Sequence, residues 1–284
     1  MRRCRSSEWM WIPVLLLGIV TAGRGDKLGK AGRRLLVERG PCVVNVALVI
    51  EMSMNMGGGG SGMSEEMKGE ATATFLDPSG LAVVPLSDID PASLFGQLMG
   101  GKGDGMMSKM KWESQVKDIK IRLHDEREIP AEIILRDRDL NLAFVRPKPP
   151  FEEKVDWIDF SEGADPSILD QLICLDRMGK VANWELGISL CRISCKVVKP
   201  RLLYVPTQLG NIGCPVFTGK GQIVGLALMR HMGGEGSSLL GMMGSLGGQG
   251  NMGLLPIILP AKDIAEVANQ ALEAAEGLDE GSSG

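Results

Sequence analysis

Between Lys117 and Val145 apolar and polar residues alternate with a period of two, and that spacing admits little besides antiparallel sheet. Ile119, Ile121 and Leu123 share one face, a polar stretch from His124 to Arg127 turns the chain, and Ile129, Ala131 and Ile133 return along it. Leu140, Leu142 and Phe144 alternate in a third strand. Similar short runs occupy Cys42 to Ile50, Ala71 to Leu76 and Leu81 to Leu86 before this region. Leu172 to Leu175, Trp184 to Lys199, Leu202 to Val205, Pro215 to Phe217 and Ile223 to Met229 follow it. Turn sequences such as Asp77-Pro78-Ser79-Gly80 and Thr218-Gly219-Lys220-Gly221 punctuate them. Only Ala261 to Glu276 reads as helix, with Ile264, Val267, Ala268, Ala271 and Leu272 on one stripe. The pattern predicts an all-β fold of two antiparallel barrels, closed so that no sheet edge is left open, followed by a terminal helix.

Pro147-Lys148-Pro149-Pro150 is stiff and poor in backbone donors, which suits a crossing between lobes. The expected organisation is therefore a leader over 1–23, an N-terminal segment over 24–40, a first lobe over 41–150, a second over 151–260 and the helix with its tail over 261–284. Three stretches stand apart: Met52 to Gly69, Gly96 to Met110 and Met232 to Gly253. Together they hold 13 of the 17 methionines. Their glycine content makes ordering costly in conformational entropy, so they are expected as mobile surface insertions between strands.

The N-terminus places Arg2, Arg3 and Arg5 before an apolar run from Trp9 to Val20 that ends in Val20-Thr21-Ala22, the layout of a secretory signal peptide. Twelve helical residues rise only about 18 Å, short of the roughly 30 Å hydrocarbon core. We expect a secreted or periplasmic protein with no stable membrane span once the leader is removed. The formal charge is −4, the wrong sign for a nucleic-acid or acidic-lipid partner. With 5 Trp, 1 Tyr and 6 Phe, an aromatic platform for single strands is also disfavoured. Cys42, Cys174, Cys191, Cys195 and Cys214 would remain after export, an odd number for which no pairing is assigned.

Phe75-Leu76-Asp77-Pro78-Ser79-Gly80-Leu81, the strand pair around Asp125, Asp137 to Val145, Gly210-Asn211-Ile212-Gly213-Cys214-Pro215 and Leu255 to Pro260 resemble, in that order, landmarks of the HtrA/Deg-type trypsin-like serine proteases. The resemblance covers about residues 41 to 275 and implies the trypsin-like double β-barrel. It also implies that Ser87 stands where such enzymes carry the catalytic His, Asn141 where they carry Asp, and Ile212 where they carry the nucleophilic Ser. All three positions of the triad are substituted.

Acyl transfer by this route needs a nucleophilic oxygen, an imidazole to take its proton and a carboxylate to orient that imidazole. Isoleucine has no nucleophilic atom, and a serine hydroxyl is too weakly basic to replace imidazole near pH 7. Gly210, Asn211 and Gly213 could keep a remnant oxyanion loop, but a hole without a nucleophile binds a carbonyl and stops there. The expectation is a catalytically inactive protease-like protein that binds a peptide or protein, with no cofactor. Two alternatives stay open. One is an active endopeptidase with a non-standard site, for which Cys214 is the candidate thiol nucleophile. The other is Cu(I) binding through Met52, Met54 and Met56, whose thioethers are soft ligands. His124 and His231, the chain's two histidines, read as solvated turn and loop residues.

Overall fold

The computed structural model describes residues 26–56, 63–93, 110–231 and 254–282. Helix α1 (Asp26–Arg39) leads into the first barrel, built from β1 (Val43–Met56), β2 (Met63–Phe75), β3 (Ala82–Pro85), β4 (Met110–Arg122), β5 (Glu128–Asp137) and β6 (Leu142–Pro147). A one-turn helix, α2 (Leu86–Ile89), follows β3. The second barrel comprises β7 (Gln171–Arg177), β8 (Leu186–Val197), β9 (Leu203–Pro206), β10 (Pro215–Thr218), β11 (Ile223–His231) and β12 (Leu254–Pro260), and α3 (Ala261–Ser282) closes the described chain. Each barrel is closed, with strand orders β1-β2-β3-β6-β5-β4 and β10-β11-β12-β9-β8-β7, and each pairing is antiparallel. The predicted architecture is the observed one.

Three apolar layers hold this together. Val44, Val46, Leu48, Ile50, Ala82, Val84, Ile119, Ile121, Ala143 and Val145 fill the first barrel. The second is filled by smaller residues, among them Cys174, Cys191, Cys214, Val216, Val224 and Ala227. A third layer lies outside both barrels and joins them: Val83, Leu142 and Phe144 from the first meet Leu226, Leu228, Ile257 and Leu259 from the second, with Ile264, Val267 and Ala271 of α3 packed on top. Strands β3, β6, β11 and β12 are thus covered on both faces, so apolar residues occupy consecutive positions in each, whereas β4 shows alternation. Each fully buried Leu, Ile or Phe in these layers is worth about 1.5–3 kcal/mol relative to exposure.

Two expectations need correction. Ala261 to Glu276 is not the only long helix, because Asp26–Arg39 forms α1, which lies over the second barrel. Gly32 allows the close approach; a Cβ there would sit 3.3 Å from Ile188 Cδ1. Met52–Met56 and Met63–Gly69 are not mobile insertions but the paired outer halves of β1 and β2, in register from Val43↔Thr74 to Met54↔Met63. Strand β4 runs along the other side of β1 as far as Met56↔Met110. The result is a three-stranded arm projecting from the mouth of the first barrel. Residues 94–109 and 232–253, which carry most of the other two Met/Gly-rich stretches, lie outside the described residues, as does the expected signal peptide.

The cysteines at 42, 174, 191, 195 and 214 are free thiols. Among the described residues no helix is long and apolar enough to cross a membrane.

Candidate functional site: the cleft between the barrels

The ladder between β3 and β6 sets Val84 against Ala143 and Pro85 against Leu142, so the residues just beyond it meet. Ser87 is the second residue of α2, and Asn141 ends the turn before β6 in the left-handed region, φ 59°, a conformation that asparagine tolerates better than most residues. The Leu86 amide donates to the Asn141 carbonyl at 3.0 Å, and the Ser87 amide donates to Asn141 Oδ1 at 2.9 Å. Asn141 Nδ2 in turn donates to Ser87 Oγ at 3.4 Å and, across the cleft, to the Met229 carbonyl of β11 at 3.1 Å. The Asn141 amide is thus bonded through both its oxygen and its nitrogen, and the Ser87 hydroxyl oxygen accepts from it.

The second barrel supplies the loop containing Ile212. Gly213 donates to the Ala227 carbonyl at 2.7 Å, and Ala227 donates to the Cys214 carbonyl at 2.9 Å, which fastens the loop to β11 two residues from Met229. Gly213 has φ +81°; a Cβ there would collide with the Thr72 carbonyl oxygen and lie 3.0 Å from Pro85 Cδ. The loop therefore rests on the first barrel beside Pro85, two residues before Ser87. Ser87 and Asn141 are bonded to one another, and the half-buried Ile212 precedes the glycine that abuts Pro85.

The remaining residues of this loop are held from beneath. Asp176, on β7, is buried beneath the loop near Gly210, and its Oδ1 has no hydrogen-bond partner among the described residues. Burial pushes the Asp176 carboxyl above its ordinary range, and the nearby donors of Asn211 and the Arg177 backbone pull against that rise. At Gly210 a Cβ would lie 2.9 Å from Ser189 Oγ, so this loop position is closed to larger side chains. Cys214 is fully buried and its thiol donates to the Asn211 carbonyl at 3.1 Å. Its sulfur points into the second barrel, where Cys174 and Cys191 lie 3.8 Å apart, Sγ to Sγ. A thiol packed in this way is screened from substrate.

Sequence reasoning missed three contributors: the Met229 carbonyl, Asp176 and Asp88. Asp88 neighbours Ser87 on α2, and burial pushes its carboxyl up to about 7. His124 is remote from these groups. It sits on the exposed turn joining β4 to β5, at the Pro147 end of the β5–β6 ladder, whereas Asn141 is at the Leu142 end. The His231 side chain lies outside the described residues. Among them, no group of three or more His, Cys, Asp or Glu is placed to hold a metal ion.

No protein-family model matches this chain, and no curated protein does. Among solved structures it is similar to the apo form of the MamO protease domain from Magnetospirillum magneticum, with 13% sequence identity and a TM-score of 0.47, covering 81% of this chain and 96% of that one. Two closed six-stranded antiparallel barrels with a helix after the last strand make this a trypsin-like double-barrel fold.

Proposed function

We propose that this protein is an exported, catalytically inert protease-like scaffold that holds a peptide or protein segment in the cleft between its barrels. The observation that carries the reading is the bonding of Asn141. A side chain that accepts from the Ser87 amide and donates to the Met229 carbonyl has the two-sided polarity of an amide, and a carboxylate could not make the second bond. The position where a protease orients its imidazole serves here as a clasp between barrels. Ile212 adds a hydrocarbon where the nucleophile would stand, and Ser87 offers no base.

Binding has a backbone to use. Strand β11 continues past its last rung with β10, Pro215↔Leu226, and beyond Ala227 its cleft side carries, among the described residues, the Asn141 contact. An extended peptide laid along that edge would gain main-chain hydrogen bonds, with Ile212 as an apolar neighbour. Export rests on the arginine-led apolar start of the sequence.

The purified protein should resist labelling by a fluorophosphonate and by iodoacetamide at Cys214, and should bind fluorescent unfolded casein, read by anisotropy, without cutting it. Ile212→Arg should weaken that binding by on the order of tenfold. Turnover of casein that survives repurification, or probe labelling abolished by Cys214→Ala, would overturn the inert reading; casein binding unchanged in Ile212→Arg would remove the cleft as the site.

A further inference from the structure

The interior row of β1 does not stop at the barrel wall. Val44, Val46, Leu48, Ile50 and Met52 point into the first barrel, with Met52 only 9% exposed, and the pleat carries the same face outward to Met54. Directly opposite on β2, Met67 faces Ile50, Glu65 faces Met52 and Met63 faces Met54. On β4, Ser114 faces Met52 and Trp112 faces Met54. Directly opposed residues of an antiparallel pair have Cβ atoms about 4.5–5.5 Å apart, and diagonal neighbours remain within reach of long side chains. Met52, Met54 and Met63 are thus neighbouring positions on one face at the barrel mouth, and Glu65 and Trp112 share that face.

Core filling does not account for this arrangement. Met63 is 72% exposed and Met67 42%, so two of the four methionines contribute little buried area. The ligand chemistry is soft and neutral: three thioether sulfurs, no imidazole, and one carboxylate to balance a single positive charge. Such a set disfavours Mg²⁺, Ca²⁺ and Zn²⁺ and suits a monovalent d¹⁰ ion.

We propose that Met52, Met54 and Met63 form a binding site for Cu(I) on the projecting arm, separate from the cleft. The sequence alone pointed to Met52, Met54 and Met56. The strand register replaces that linear set with a cross-strand one, because Met63 is brought beside Met54, and the side chain of Met56 lies outside those described.

The test is anaerobic titration of the full chain with Cu(I) against bicinchoninate, in a Cys195→Ser background because Cys195 is an exposed thiol able to compete. About one equivalent should be taken from the chelator. Met54→Leu/Met63→Leu, which keeps side-chain volume, should weaken uptake on the order of tenfold or more, while Met178→Leu should leave it unchanged. With ¹³C-methyl methionine labelling, Ag(I) should shift the Met52, Met54 and Met63 methyl signals and leave Met178 and Met229 in place. Failure to take Cu(I) from the chelator, equal affinity in the double variant, or Ag(I) shifts confined to other methionines would each overturn the site. If the double variant does not fold, Met63→Leu alone carries the test, since its side chain is mostly in solvent.

Discussion

The cleft and the arm treat their chemistry-bearing groups in opposite ways. In the cleft, hydroxyl, amide and carbonyl are bonded to one another, as Ser87, Asn141 and Met229 show, and the thiol of Cys214 is turned into a core. On the arm, thioethers are gathered on one face, from the buried Met52 through the half-buried Met54 to the exposed Met63. Groups whose bonding capacity is used internally stabilise the fold, and groups assembled without internal partners are available to a ligand. The cleft should therefore reveal itself through stability and the arm through binding.

The largest loss is expected at the barrel junction. Gly213→Ala forces a side chain onto a left-handed backbone and against the Thr72 carbonyl, and should cost about 2–4 kcal/mol in urea unfolding; a cost under about 0.5 kcal/mol would mean the loop is not seated on the first barrel. Asn141→Asp, although it installs the residue a protease would use, should cost about 2 kcal/mol near pH 7 and create no hydrolysis, because a carboxylate facing the Met229 carbonyl has nothing to donate. The penalty should shrink in acid as the introduced carboxylate takes up a proton.

A pH effect follows at Asp88. Its folded carboxyl titrates at about 7 against an ordinary value of 3.8, so between those values the folded chain holds a proton that the unfolded chain has released. Stability from this group is present below about pH 4 and is lost as pH rises through about 7. Asp88→Asn should flatten that slope and stabilise the protein at pH 8 by about 1–2 kcal/mol, measured by urea midpoints across pH. The smallest effect belongs to the arm: Met63→Ala should change stability by less than about 0.5 kcal/mol while weakening Cu(I) uptake. A larger loss would make the arm a packing element and erase the contrast with the cleft.

Much of the fold was legible because its strands obey simple rules. Ile119, Ile121 and Leu123 alternate and are buried; Thr218 to Gly221 carries the turn where it was expected. Helix α1 was not legible, since Gly29 and Gly32 weaken its apolar stripe and its stability comes from packing on Ile188 and the second barrel. The arm was misread for a related reason. Glu51-Met52-Ser53-Met54-Asn55-Met56 alternates as a strand should, but glycine and methionine carry little β preference, and composition outweighed period. At the cleft, motif order pointed to Ser87, Asn141 and Ile212. The clasp could not, because Asn141 reaches a backbone carbonyl 88 residues away in the other barrel. No side-chain pattern announces such a bond.

Helix α3 lies against β5 of one barrel and β11 and β12 of the other, and the Arg146 guanidinium is bonded to the Ala275 carbonyl near its middle. It acts as a strap across the seam. Walls braced in this way cannot spread independently, so a guest of the kind proposed would be selected by whether it fits a gap of fixed width, and the two halves should melt as one.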